Sequence, residues 1–265
     1  MARKNRGRKT STEDFAAMRR ATPARLGAGR AGPRYTTAAM LALRADHARA
    51  VDAVRMEVPH DWPARNAMPE LKTCAPDREV YLLRPELGRM LADDDAERLA
   101  QRYARRVRVP AAQRAKPALV ILVGDGLSSA AVQAHAAAIV RALKTKLSAR
   151  FRVFGTFFIR NARVRVEDHV GEILRPDLVC MIIGERPGLA TAESLSAYVI
   201  WRPRLASLEP DRTVISNIHP GGLSIPAAAG KIARLCADAA AYQASGAALA
   251  ARLTRPALTD PPAAD

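Results

Sequence analysis

Residues 118–127, Ala-Leu-Val-Ile-Leu-Val-Gly-Asp-Gly-Leu, constrain the fold more than any other stretch. Leu119 to Val123 are five consecutive apolar residues that run straight into Gly124-Asp125-Gly126. A short run without polar alternation predicts a strand buried on both faces. The glycines permit a tight turn or a close backbone approach. Ser128 or Ser129 is placed to cap a helix over about 129–147, with Val132, Ala136, Ile139, Leu143 and Leu147 on one side. Strand, glycine turn and helix open an α/β unit whose ligand lies beyond the strand's carboxyl end. The glycine pattern is not G-x-G-x-x-G, because residue 129 is Ser, so the turn serves either a ligand or the fold alone.

The chain beyond this stretch repeats the theme. Arg152 to Ile159 is strand-like, Asn161-Ala162 a turn, and Arg163-Val164-Arg165-Val166 alternates like a half-buried strand. A helix is expected over Glu167–Leu174. Leu178 to Ile183 is a second buried strand, ending in Gly184, and Glu185-Arg186-Pro187-Gly188 follows it directly. A carboxylate and a guanidinium at such a strand end sit where open α/β sheets bind ligands. Ser194–Trp201 is ambiguous between helix and strand. Asp211 to Ile218 is a third candidate strand, at an edge or in the core, and Ser224–Tyr242 a closing helix.

The first hundred residues are expected to be helix and extended loop. Helices are predicted from Thr12 to Arg20, over about twenty residues after Thr37, and from Ala96 to Arg106, where Arg105-Arg106 suit the last turn. Met40, Leu43, His47, Val51 and Val54 form an apolar-leaning stripe, on which His47 reads as a buried histidine. Residues 22–36 form a loop rich in glycine and arginine, and 57–73 is irregular. The boundaries that result are a disordered basic tail at 1–11, a helical and extended N-terminal region at 12–114, a domain at 115–250 and a tail at 251–265.

Composition narrows the partners. Lys and Arg total 42 against 26 Asp and Glu, a formal charge of +16, which favours anionic partners or reflects genomic composition. Only 5% of residues are aromatic, so no stacking platform for nucleic acid is evident. No apolar run reaches membrane-spanning length. Cys74, Cys180 and Cys236 are widely separated and fit a reducing cytosol and no zinc spacing.

Several stretches together resemble one family, the small (light) subunit of ethanolamine ammonia-lyase. They are Thr22-Pro23-Ala24-Arg25 with Gly29-Arg30-Ala31-Gly32, Asp77-Arg78 through Tyr81-Leu82, and Arg84-Pro85-Glu86-Leu87-Gly88. Asp125-Gly126-Leu127-Ser128, Gly184 through Leu189, Glu193-Ser194-Leu195, and Arg212-Thr213 with Ile215-Ser216-Asn217-Ile218 continue the match. The resemblance covers about residues 14 to 245. It implies an α/β fold, a Rossmann-like parallel sheet domain preceded by a smaller, mostly helical N-terminal region. It implies a holoenzyme that converts ethanolamine to acetaldehyde and ammonia, assembled from equal numbers of small and large subunits, cytoplasmic and often inside a bacterial microcompartment. The implied cofactor is adenosylcobalamin, enclosed between the two subunits with its own base attached, and this chain is expected to supply neither a catalytic side chain nor a metal ligand.

The family's cofactor-contacting positions fall on Val164, Glu185 and Val214. Val164 would act through its backbone and Glu185 as a hydrogen-bond acceptor. At Val214 the family is expected to have cysteine, so a backbone contact survives there and a thiol-specific role does not. His169 lacks the D-x-H-x-x-G spacing of base-displacing cobalamin proteins. A nucleotide-dependent enzyme and a basic nucleic-acid-binding protein are the alternatives. The first lacks a complete phosphate loop and the second a recognised binding helix.

Overall fold

The computed structural model describes residues 12–22, 26–104 and 116–254. The basic tail at 1–11, Pro23 to Arg25, the Arg105-Arg106 helix end and the tail from 255 onward lie outside the described residues.

The N-terminal region opens with α1 (Thr12–Ala21), a two-residue hairpin of β1 (Arg30–Ala31) and β2 (Arg34–Tyr35), and α2 (Thr37–Arg55). Thr36 caps α2, its hydroxyl accepting from the Ala39 amide at 3.3 Å. The expected inward stripe does not form. Among its described residues α2 buries only Ala53; Met40, Leu43 and His47 are exposed, so His47 is not a core histidine. α3 (Trp62–Arg65), β3 (Glu70–Lys72), α4 (Arg78–Leu83) and α5 (Asp93–Leu99) follow. Asp77 caps α4 through the Val80 amide at 2.8 Å. The helix expected over 96–106 starts earlier, at Asp93, and passes into a π turn over Ala100–Ala104.

The second part holds the sheet. β4 (Ala118–Gly124) leads into α6 (Ser129–Ala131), which continues through one π turn (Val132–Ala136) into α7 (Ala137–Leu147). Then come β5 (Arg152–Arg160), α8 (Val166–Leu174), β6 (Leu178–Gly184), β7 (Leu195–Trp201), β8 (Arg212–Ile218), α9 (Ile225–Tyr242) and α10 (Gly246–Thr254). The strand order is β3-β5-β4-β6-β7-β8.

Every residue of β4 and of β6 is buried, and the two-residue period explains the unbroken apolar runs. Leu119, Ile121 and Val123 face a core with α7, α9 and α10. Ala118, Val120 and Leu122 face a second core with α5 and α8. With helices on both faces, neither side of these strands tolerates polar groups.

The expectation of a parallel sheet holds for one half only. β3, β5, β4 and β6 are parallel, whereas β6–β7 and β7–β8 are antiparallel, so the sheet is mixed. A parallel neighbour needs a crossover of a dozen or more residues, usually with a helix. Residues 185–194 contain no helix and 202–211 only a 3₁₀ turn at Glu209–Asp211, so each connection reverses the chain. Ser194–Trp201 resolves as strand. The alternating segment Arg163–Val166 is not a strand: it is the turn that starts α8. Glu70–Lys72, within the stretch expected to be irregular, pairs with β5 as an edge strand.

Candidate functional site

The chain leaves β4 towards β5 on one side, then crosses back to β6 on the other side of β4. β4 and β6 therefore flank the point where the strand order reverses, the place where open α/β sheets form a ligand crevice. A cleft of about 420 Å³ lies there. Gly126 and Leu127 line it after β4, Arg163 and Val164 after β5, and Gly184, Glu185 and Arg186 at the end of β6. Tyr81, Ile183, Ser196, Tyr198, Val214 and Ser216 complete the wall.

The floor is two strand ends in close contact. The Leu127 amide donates to the Gly184 carbonyl at 3.0 Å. Gly126 has φ +58°, and a Cβ there would sit 2.2 Å from the Gly184 carbonyl oxygen. A Cβ at Gly184 would lie 2.3 Å from the Ser128 carbonyl oxygen and 2.5 Å from that of Asp125. Both glycines are required by backbone packed on backbone. Ser128 caps α6 through the Ala131 amide at 3.0 Å.

Asp125, 1% exposed, carries the turn's charge inward. Its carboxylate accepts from the amides of Asn161 at 2.8 Å and Ala162 at 2.9 Å, tying β4 to the end of β5. Arg78 stands 3.7 Å from it and donates to the Gly126 carbonyl at 2.8 Å and the Val54 carbonyl at 2.8 Å. Burial raises the Asp125 carboxyl above its ordinary value, and Arg78 and the two amides oppose that rise. The resemblance segment Asp125-Gly126 thus has a structural task in the turn's interior.

Val164, Glu185 and Val214 all line this one cleft. Val164 sits between two anchored arginines. Arg163 lies 4.3 Å from the Tyr81 ring centroid and its amide donates to Gly88 at 2.8 Å. Arg165 donates to Asp168 at 3.2 Å and to the Ser207 carbonyl at 3.1 Å. The Val164 carbonyl accepts the Glu167 amide at 3.1 Å. Glu185 is half-buried, and one of its oxygens accepts both the Ser196 hydroxyl and the Asn217 amide, the latter at 3.1 Å. It therefore joins the end of β6 to β7 and β8. Val214, on the edge strand opposite Tyr198, is 47% exposed and offers an apolar surface.

Sequence reasoning passed over the contributions of Tyr81, Arg163, Ser196 and Tyr198 to this wall. Ser196 and Tyr198 could have been found from the two-residue period of β7 once that segment was known to be a strand. Tyr81 is brought in by the N-terminal region, where its hydroxyl donates to the Ala162 carbonyl at 2.9 Å. No local signal announces that contact. His169 accepts the Leu91 amide at 3.0 Å through Nδ1. Among the described residues no group of three or more His, Cys, Asp or Glu is arranged to hold a metal ion.

Behind the cleft wall lies a buried ionic cluster. Arg212 donates to Glu167 at 2.7 Å and to both oxygens of Asp168, at 2.6 and 2.7 Å. Burial pushes the Glu167 carboxyl up from 4.5 to about 8, against the pull of Arg212. Asp168 and Glu209 reinforce the rise, and Tyr198 and Cys180 lie within electrostatic reach. The folded state therefore holds a proton here that the unfolded chain releases at lower pH. The stability this contributes is full below 4.5 and declines as the pH rises through about 8. Glu167→Gln, which cannot ionise, is expected to lessen the fall in melting temperature between acidic and alkaline buffer. Equal slopes in variant and wild type would contradict it.

A family model for the ethanolamine ammonia-lyase light chain (EutC) matches residues 12–250 of this chain. The chain is similar to the "ethanolamine ammonia-lyase small subunit" of Clostridioides difficile, with 41% identity over 239 residues, covering 88% of this chain and 77% of that protein. The protein of the same description from Lachnoclostridium phytofermentans is 40% identical over 235 residues, covering 88% and 76%.

Proposed function

The chain belongs to the ethanolamine ammonia-lyase light-chain family, and on that premise we propose that its strand-end cleft closes one side of an adenosylcobalamin site completed by the large subunit. It is the small subunit of this ammonia-lyase and acts with a large subunit in a hetero-oligomer. The observation that carries the cofactor reading is the cleft at the sheet's switch point, where Val164, Glu185 and Val214 meet over the paired Gly126 and Gly184 turns.

The residues present fit a cobalamin. Its flat, largely apolar ring carries a rim of amides, and the cleft pairs apolar Leu127, Val164, Ile183 and Val214 with polar Glu185, Ser196 and Ser216. The glycine turns allow a large ligand to approach backbone. At about 420 Å³ the cleft takes part of such a molecule and leaves the rest to the partner. When bound, the cofactor supplies the cobalt–carbon chemistry. Glu185 would accept a hydrogen bond from the rim, Val164 would present backbone, and Val214 and Leu127 would cover apolar surface and exclude water. The cofactor would keep its own base, and this chain would give no ligand to cobalt.

Residues 115–250 serve as the cobalamin-binding domain, with the parallel half of the sheet as its Rossmann-like part. The exposed apolar residues of the N-terminal region, among them Met40, Leu41, Leu43 and Met56, suit a partner surface. Equal numbers of the two subunits and a cytoplasmic site, within a microcompartment where one is made, complete the reading. No described helix is long and apolar enough to cross a membrane.

Reconstitution tests it. The chain, the large subunit and adenosylcobalamin together are expected to turn ethanolamine into acetaldehyde, and the purified chain with cofactor alone is expected to show no turnover. Robust deamination without the large subunit contradicts the reading.

A further inference from the structure

The two flanks of the cleft are carried by different elements, and one buried ionic joint ties them together. Val164 lies in the turn that opens α8, two residues before its first residue, and Val214 lies on β8. Glu167 and Asp168 are in the first turn of that helix, and Arg212 begins that strand. The side chains of Arg212, Glu167 and Asp168 are 2%, 0% and 2% exposed. Arg212 holds Asp168 through both carboxylate oxygens and Glu167 through one, and its remaining nitrogen donates to the Leu208 carbonyl at 3.2 Å and to Glu209 at 3.1 Å. The Glu167 amide in turn holds the Val164 carbonyl.

The ion pair of Arg212 with Asp168, this deep, contributes little net stability against an apolar replacement, since desolvation offsets its attraction. The planar Arg212 guanidinium, with Nε on Glu167 and Nη2 on both oxygens of Asp168, instead fixes distance and angle between the strand and the helix turn. We propose that Arg212 is a positioning residue whose grip on Glu167 and Asp168 sets the spacing between the Val164 turn and the Val214 strand, and through it the affinity of the cleft for the cobalamin. The inference rests on the proposed cofactor reading and adds to it a residue that touches no ligand.

Arg212→Lys keeps the charge and loses the fork. In the assembled holoenzyme it is expected to raise the adenosylcobalamin dissociation constant about tenfold, the effect of one lost charge-assisted hydrogen bond. Subunit ratio, and the KM for ethanolamine at saturating cofactor, stay as in wild type. Asp168→Asn, which breaks the joint from its other side, is expected to do the same. Val164→Gly frees the turn from the joint's control, so Arg212→Lys adds less in that background than in wild type. An unchanged dissociation constant, or strict additivity, overturns the proposal whatever the melting temperature does. Failure of both Arg212→Lys and Asp168→Asn to assemble also overturns it, because the joint is then a folding element. Wild-type holoenzyme that fails to bind adenosylcobalamin overturns the cofactor reading itself, and this inference with it.

Discussion

Glu185→Ala in the assembled enzyme is expected to weaken adenosylcobalamin binding by roughly 10- to 150-fold. The figure follows from losing a hydrogen bond to an ionised group, about 1.5–3 kcal/mol at about 1.4 kcal/mol per tenfold. The carboxylate lies directly after a fully buried strand, so its position is set by rigid scaffold. It makes no ion pair with Arg186 or Arg212 among the described contacts. Its structural partners are the Ser196 hydroxyl and the Asn217 amide, both on one oxygen. Alanine removes that acceptor as well, and the buried Ser196 hydroxyl loses its partner, so a lower melting temperature accompanies the loss of affinity. Glutamine keeps one accepting oxygen and the volume, and is expected to melt near wild type and to bind the cofactor better than alanine does. Titration of the cofactor into each complex, with thermal melting alongside, separates the two roles. A complex that melts early yet binds adenosylcobalamin as wild type does makes Glu185 a brace for β7 and β8 alone.

Gly126→Ala is expected to destabilise the chain by roughly 2–5 kcal/mol. The left-handed φ of +58° costs any residue with a Cβ about 1–2 kcal/mol. A methyl 2.2 Å from the Gly184 carbonyl oxygen adds roughly 1–3 kcal/mol of overpacking. The neighbour is backbone at the end of a buried strand and has no rotamer to change. For a domain of this size a fall in melting temperature on the order of 10 °C follows. Cofactor affinity is expected to fall with it, since relief of the clash moves Gly184 and with it Glu185. A Gly126→Ala complex that melts with wild type would show that the two turns have room to spare.

The sequence disclosed those elements whose burial is uniform. β4 and β6 are apolar throughout because helices cover both their faces, so length and flanking glycine identify them. β7 was ambiguous because Ser196 and Tyr198 interrupt an otherwise apolar run, and each has a wall position that only the tertiary register defines. β3 is three residues long at an edge, below the length at which periodicity has meaning. The alternation of Arg163 to Val166 imitated a strand. Its two arginines are anchored on opposite sides of a turn, one on Tyr81 and one on Asp168, and leave Val164 facing the cleft. α2 misled in the other direction, since Met40, Leu41 and Leu43 are exposed and only Val51 and Val54 of its stripe are half-buried.

The cleft was legible in part. Gly-Asp-Gly and the Gly-Glu-Arg-Pro-Gly run mark strand ends, and the resemblance supplied Val164, Glu185 and Val214. That these three share one wall depends on the crossover from β5 to β6 and on the reversal into β7 and β8, neither of which is local. The Arg212 joint was hidden for the same reason, because Glu167 and Asp168 look like an ordinary acidic first turn of a helix.

The central claim is that this cleft faces the cobalamin. A structure of the two-subunit complex with adenosylcobalamin bound tests it most directly. The account predicts the cofactor against Val164, Glu185 and Val214, with the large subunit covering its other side. A cofactor held by the large subunit alone, with the Gly126–Gly184 cleft empty or filled by protein, contradicts it.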